Sequence, residues 1–472
     1  MGLSRLVFLS RDEIELIHET SLKILQEVGV KVLSSKIRTL MAEKGAEVDE
    51  KRSIVKIPET LVEEALKKAP KEIILCGREP KHDLKLPSRE IPFAATGGII
   101  TFIRDMETGE KRMSTSTDLK NFAIISDYLD QVDFFWPTVV PTDIPPALQS
   151  IYGLAISFEF TGKHIQYEAL NEKDVKWQIR LASAIVGDEK KLRKRPIFST
   201  VNCPVSPLAF EKDSVEAMVE LAKAGIPFIP FSQPLCGSTA PATLAGTLTI
   251  FNAENLAAIT IVESVSPGAP VIYGGEPAPI DGRTGEINYK APECPLLAAG
   301  IAQMARFYGL PTYTCGVSFG ETPSDWQTLL KDSVRLALLA LARGDITAGF
   351  GCLENAKSSA LEQVILDVEG WIQAKAYLRT FDINEDTLGF DVISKVGPGG
   401  LFLGEKHTMK HFRKELWLKE EAEILPSTKD IVKAAKEKVR EILKIHEPTP
   451  LEEDVKREVE QILQQCRKDI LG

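Results

Sequence analysis

The chain has 472 residues, of which 44% are hydrophobic, 26% charged and 7% aromatic, with a formal net charge of -10. That length and apolar content suit one large globular domain with attachments, or two to three ordinary domains. The acidic balance argues against a nucleic-acid binder and against a polybasic membrane anchor.

The opening stretch "MGLSRLVFLSRDEIE" has an apolar run too short for a signal peptide and no cleavage-like site. Seven cysteines without a secretory signal predict free thiols in a reducing compartment, hence a cytoplasmic protein. Residues 10–85 read as an α+β lead segment. Ser10 is a helix N-cap, and Glu13, Ile14, Ile17, Leu22, Ile24 and Leu25 follow at roughly helical spacing. "VKIPETLVEEALKKAPKEIILCG" gives a strand, a helix opened at Pro58 and a second strand.

From about residue 92 a rhythm begins, in which short apolar stretches end in Gly, Pro, Ser or Asn and helices follow. The strands are "IPFAATGGIITFI", "VDFFWPTVV", "KHIQYEAL", "PIFSTVNCP", "PFIPFSQP", "PVIYGGEP", "PTYTCGVS" and "DITAGFGCL". This alternation predicts an α/β fold, specifically a (β/α)8 TIM barrel over 91–380, with the α+β segment over 1–90. No dinucleotide fingerprint follows any strand, which weakens a Rossmann alternative. The long apolar run "LAGTLTIFNAENLAAITIVESV" is interrupted by Asn252, Glu254 and Asn255, so it reads as a buried helix and not a membrane span. Over 381–472 the rhythm stops. A Gly-rich loop, a basic and aromatic helix and two charged amphipathic helices form a C-terminal extension packing on the barrel.

In such a barrel, chemistry sits at the C-terminal ends of strands. In "KHIQYEAL" the polar His164, Gln166 and Glu168 share one parity and should face the interior, while Ile165, Tyr167 and Ala169 meet the helices. Glu168 suits either a functional role or a buried hydrogen-bond network. His164, at a strand start, reads as a satisfied core histidine. Cys203, Cys236, Cys294, Cys315 and Cys352 lie at or beyond strand ends, but no CxxC or HxC motif and no nearby His accompanies them, so no metal site is assigned. His407 and His411, at i and i+4, lack a third ligand in register. Among the aromatics near strand ends, Trp136 is the best candidate for a cation-binding face.

Four blocks then become recognisable: "GVKVLSS…KGAEVDE…VKIPETLVEEALKKAP", "NCPVSPL", "QPLCGSTAPATLAGTLTIFNAE" and "VGPGGLFLGEKHT". Together and in this order they resemble the trimethylamine methyltransferase family. The resemblance implies a (β/α)8 barrel that demethylates a methylated amine and passes the methyl to cobalt of a separate corrinoid protein. Archaeal trimethylamine enzymes of the family carry pyrrolysine at a barrel strand end, near the end of "TYTCGVS". This chain has ordinary residues there, so it resembles the non-pyrrolysine branch, whose known members act on quaternary amines such as glycine betaine, proline betaine and carnitine. It departs in having Leu401 after the paired glycines, where relatives often carry His, and Cys236, where another small residue is common.

The resemblance and the strand-end reading together give an expected substrate-binding set: Trp136, Gln166, Glu168, Asn202, Gln233, Glu276, Phe319, Phe350, Glu354 and His407. Arg283, Lys290, Lys357 and His407 are candidates for a substrate carboxylate. No general acid is required to release a neutral tertiary amine from a quaternary one. The corrinoid stays on its partner protein, and the chain is expected to hold no tight cofactor of its own, to self-associate, and to bind neither nucleic acid nor membrane. Two other classes remain open: a zinc-dependent methylcorrinoid:thiol methyltransferase, and a non-catalytic betaine-binding or corrinoid-docking protein.

Overall fold

The computed structural model describes residues 6–88, 92–314, 316, 320, 322, 323, 326–379, 381–416 and 424–472, with the side chains of 326–332 outside that description. Expectations about Cys315, Ser318, Phe319 and the Trp326 side chain therefore lie outside the described residues.

Eight parallel segments recur through the middle of the chain: Phe93–Thr96, 134–135, Ile165–Glu168, Phe198–Val201, Phe228–Ile229, Tyr273–Gly274, Thr312–Tyr313 and Ile346–Phe350. Each pairs in parallel with its successor, through Ala95–Phe134, Phe135–Ile165, Ile165–Phe198, Thr200–Phe228, Phe228–Val271, Tyr273–Thr312 and Tyr313–Ile346. The last pairs with the first at Ile346–Phe93. Helices Ser116–Tyr128, Gln149–Phe160, Glu172–Val186, Lys212–Ala224, Leu244–Val265, Glu293–Tyr308, Trp326–Ala342 and Leu361–Tyr377 alternate with them. The fold is α/β.

Strand alternation divides the core. Ala95, Phe134, Trp136, Val201, Ile229, Phe231, Ile272, Tyr313, Ile346 and Ala348 form one inward cluster. Their odd-or-even neighbours Ala94, Phe135, Ile165, Tyr167, Phe198, Phe228 and Tyr273 pack outward on the helices. The antiparallel hairpin Ile73–Leu75 and Leu84–Leu86 belongs to the inward cluster and so closes one end of the interior. The lead segment is tied in further, because Val30–Val32 pairs in parallel with Ala209–Phe210. Ser10 caps helix Arg11–Lys23 in a full capping box with Glu13.

Helix Leu244–Val265 alone among the described residues is long and apolar enough to cross a membrane, and 83% of its apolar window is buried in the fold. It carries Glu254, which accepts bonds from Ser206 Oγ at 2.9 Å and the Leu208 N–H at 2.8 Å, and also from Ser232 Oγ. One buried carboxyl thus joins the "NCPVSPL" loop to the "QPLCG…NAE" block, and burial raises its pKa above the ordinary carboxyl value. The two sequence blocks meet in space at that residue.

Candidate active site

A cavity of about 230 Å³ opens at the C-terminal ends of the parallel strands. Four residues expected from the sequence meet in its wall: Trp136, Glu168, Gln233 and Glu276. Trp136, Phe231 and Tyr313 form an aromatic trio with ring centroids 5.4 to 5.8 Å apart. The Trp136 indole N–H has no protein acceptor among the described residues. Gln233 donates through Nε2 to the Tyr289 hydroxyl.

The two carboxyls are set by backbone geometry. Glu168 ends its strand on the inward parity, with the Gln178 amide holding its backbone carbonyl at 2.7 Å. Glu276 follows a paired glycine at a very close strand approach: a Cβ on Gly275 would stand 2.0 Å from the Ser232 carbonyl oxygen. The Glu276 N–H then donates to Ser232 at 2.9 Å, and its Oε1 accepts the Gly316 N–H at 2.7 Å. Burial pushes both carboxyls up to about 7; the Asp174 charge adds to the rise at Glu168, while the Gly316 bond and the Arg335 charge oppose it at Glu276.

Arg335 is buried, and its guanidinium donates to the Gly316 carbonyl at 2.9 and 3.2 Å and to the Tyr289 carbonyl. It thereby fixes two wall segments from behind. The sequence offered no signal for it, since it sits mid-helix in an amphipathic pattern. Tyr289 and Tyr313 were likewise missed, one lying in a loop and the other before the strand's small-residue tip.

The remaining expected residues lie elsewhere. Gln166 is inward but deeper than the wall, where it accepts from Ser199 Oγ at 2.7 Å; Ser199 also meets His164 Nε2 at 2.7 Å. His164 Nδ1 faces the Cys76 carbonyl at 2.9 Å, and burial depresses its pKa to about 4, leaving a neutral core histidine. Asn202 bridges strands, donating to the Ala169 carbonyl at 2.9 Å. Phe350 packs outward against Trp371 at 6.2 Å. A register shift between Thr347 and Phe350, with Gly349 at φ +115°, turns it away from the inward parity of Ile346 and Ala348. Glu354 pairs with Arg104 and, at 2.8 Å, with Lys111. His407 lies on the exposed helix Lys406–Glu415, its Nε2 2.8 Å from the Asp386 carbonyl oxygen.

The candidate carboxylate binders are engaged too, Arg283 with Asp281 at 3.0 Å and Lys357 with Glu286 at 2.8 Å. Cys203 and Cys352 line the cavity. The one grouping of three metal-competent side chains among the described residues is Asp386, His407 and His411, which includes no cysteine.

The fold and this site define an α/β enzyme with a small aromatic cavity bearing two half-buried carboxyls. The family model described as trimethylamine methyltransferase (MTTB) matches residues 2–471, so the chain belongs to that family and is a methyltransferase. It is 33% identical over 466 residues to trimethylamine methyltransferase MttB of Desulfitobacterium hafniense strain DSM 10664 / DCB-2, covering 98% of this chain and 94% of that one. It is 31% identical over 416 residues to the glycine betaine methyltransferase of D. hafniense strain Y51, covering 87% and 85%. The crystal structure of the Methanosarcina barkeri monomethylamine methyltransferase (MtmB) shares the fold with a TM-score of 0.50 at 13% identity, covering 97% of this chain and 92% of that one.

Proposed function

We propose that the protein demethylates a quaternary amine of the betaine type and transfers the methyl to Co(I) of a separate corrinoid protein. The observation that carries this reading is the pairing of an aromatic wall (Trp136, Phe231, Tyr313) with two half-buried carboxyls (Glu168, Glu276) in one small cavity. A cavity of roughly 150 Å³ accepts benzene, so this one suits a ligand of about nine heavy atoms. Aromatic faces favour a cation by about 0.5–2 kcal/mol each, and the carboxyls supply countercharge when ionised.

The Co(I) of the corrinoid, here a co-substrate on its partner, provides the nucleophile. The bond from methyl carbon to nitrogen breaks with its electron pair left on nitrogen, so the amine departs neutral and needs no proton. The protein's share is positioning, exclusion of water, and a countercharge tuned near neutrality. With pKa values near 7, the carboxyls hold a cation without binding it so tightly that loss of its charge becomes costly. The glycine betaine activity named for the relative at 31% identity supports the substrate class. The parallel pairing of every successive strand, and of the last with the first, supports the (β/α)8 barrel as the finer description of the fold. The division into 1–90, 91–380 and 381–472, a cytoplasmic setting and the absence of a resident cofactor belong to the same reading.

The test is incubation with Co(I) cobalamin and a panel of betaines, tetramethylammonium and trimethylamine, following methylcobalamin by absorbance. Methyl transfer from at least one quaternary amine, with trimethylamine inert, is the expected outcome. Transfer from trimethylamine alone would overturn the substrate class, and stoichiometric zinc with thiol methylation would overturn the reaction.

A further inference from the structure

The described residues of 377–416 leave the body of the protein at the N-terminal ends of the parallel strands. Helix Leu361–Tyr377 follows the strand Ile346–Phe350 and runs back beside it, and near its end the Lys375 charge acts on Asp133. Asp133 stands at the start of segment 134–135, where its N–H donates to the Ala94 carbonyl at 2.8 Å. The segment therefore departs from the end opposite the cavity.

Its three helices, Glu385–Leu388, Phe390–Val396 and Lys406–Glu415, contain no buried residue. Polar latches hold them together. Lys410 and His411 reach Asp386 at 2.6 and 3.1 Å, Lys395 meets Glu405 at 2.6 Å, and Lys414 meets Asp382 at 3.5 Å. The apolar side chains point outward instead. Of the 27 large hydrophobic residues exposed in the described chain, 12 fall within these 40 residues, so the exposure is concentrated and not scattered. Phe381, Phe390, Leu401 and Met409 are each more than 70% exposed. Phe390 with Ile393, and Met409 with Phe412, recur at i, i+3 and so make stripes on their helices.

Scaling side chains of about 150–250 Å² by the exposures of these 12 residues gives roughly 1,500 Å² of apolar surface summed over the whole segment. One face presents about half of it, roughly 750 Å². A typical monomer's largest apolar patch is about 300–600 Å². A standard interface takes about 800 Å² from each partner, and obligate homodimer interfaces are larger and more apolar. The surface is thus of the permanent kind, unlike that of a methyl acceptor, which must leave after each turnover. The acceptor must also reach the cavity at the other end of the strands, an exclusion that rests on the function proposed above, whereas the area argument does not. Charge favours a like partner. The whole chain carries -10, but residues 377–416 hold six basic and six acidic side chains, so two copies can meet here without the repulsion of their acidic bodies.

We propose that the described residues of 377–416 form the interface with a second copy of this chain. The test is sedimentation velocity of the full chain at 10 µM, with far-ultraviolet dichroism as a folding control. Wild type is expected at twice the 52.1 kDa chain mass or a higher multiple. Phe390→Asp and Met409→Asp should each return it to the single-chain mass with the helical signal kept. Leu16→Asp, at an exposed apolar position elsewhere, should leave the assembly intact. A monomeric wild type, or a Phe390→Asp variant that keeps its mass, would overturn the proposal, as would dissociation by Leu16→Asp. Because a variant can misfold, hydrogen exchange of the unaltered protein provides a second test. Amides of 381–416 should be protected at 10 µM and lose protection on dilution in step with mass. Protection that persists in a monomer would mean the segment folds back on its own chain, and loss without a change in mass would mean it is uncovered; either result overturns the proposal.

Discussion

Replacing Glu276 by Gln separates what this carboxyl costs the fold from what it does for a ligand. Burial lifts its pKa from an ordinary 4.5 to about 7, and each unit corresponds to about 1.4 kcal/mol. The folded state therefore binds the proton more tightly than the unfolded chain does. No penalty exists below about pH 4.5, where the group is neutral in both states, and the penalty grows until the folded carboxyl ionises near 7. Fully developed, it amounts to about 3 kcal/mol. Gln retains an acceptor for the Gly316 N–H and removes the titration. At roughly 1 kcal/mol per kelvin of unfolding entropy for a chain this size, Glu276→Gln should melt about 3 °C above wild type at pH 8.5 and level with it at pH 4.5.

Binding should move the other way. A quaternary ammonium that needs both Glu168 and Glu276 ionised loses about tenfold in affinity per carboxyl for each pH unit below 7. Below pH 7 the slope of log Kd against pH is then about -2 in wild type and about -1 in Glu276→Gln. Calorimetric titration with glycine betaine or tetramethylammonium between pH 5.5 and 8.5, beside melting curves over the same range, measures both. A wild-type Kd that stays flat across this range, or a variant that melts no higher than wild type at pH 8.5, refutes the reasoning.

Trp136→Phe should raise KM by only a few-fold because a ring face remains, whereas Trp136→Ala should raise KM roughly 3- to 30-fold and lower stability by about 3–5 kcal/mol, read from urea midpoints. Arg335→Met removes the charge that opposes the rise at Glu276, so the lower limb of the pH–affinity profile should move up by about one unit, while Arg335→Lys should restore part of the shift. Phe350→Ala should cost about 3–5 kcal/mol in denaturant unfolding and leave KM unchanged, since the ring packs on Trp371 outside the cavity. A KM rise comparable with that of Trp136→Ala would place Phe350 at the site after all.

The sequence by itself determined the α/β alternation, because eight apolar stretches punctuated by small residues and separated by amphipathic helices admit few other arrangements. It also determined the parity of "KHIQYEAL", since a strand's side chains must alternate: Tyr167 packs on helices, and Glu168 reaches the cavity. Four wall residues were legible because strand ends and paired glycines mark where a chain turns into a mouth. The tertiary structure alone decided the others. A bulge at Gly349 reversed the facing of Phe350, and no local pattern announces a one-residue insertion in a ladder. Arg335 became a brace through carbonyls 19 and 46 residues away in the chain, a pairing that only folding creates. Asp386, unseen beside His407 and His411 in the sequence, meets them through a helix packing that leaves the apolar side chains outside. Periodicity specifies which face of an element is apolar; only the assembled chain decides whether that face is covered.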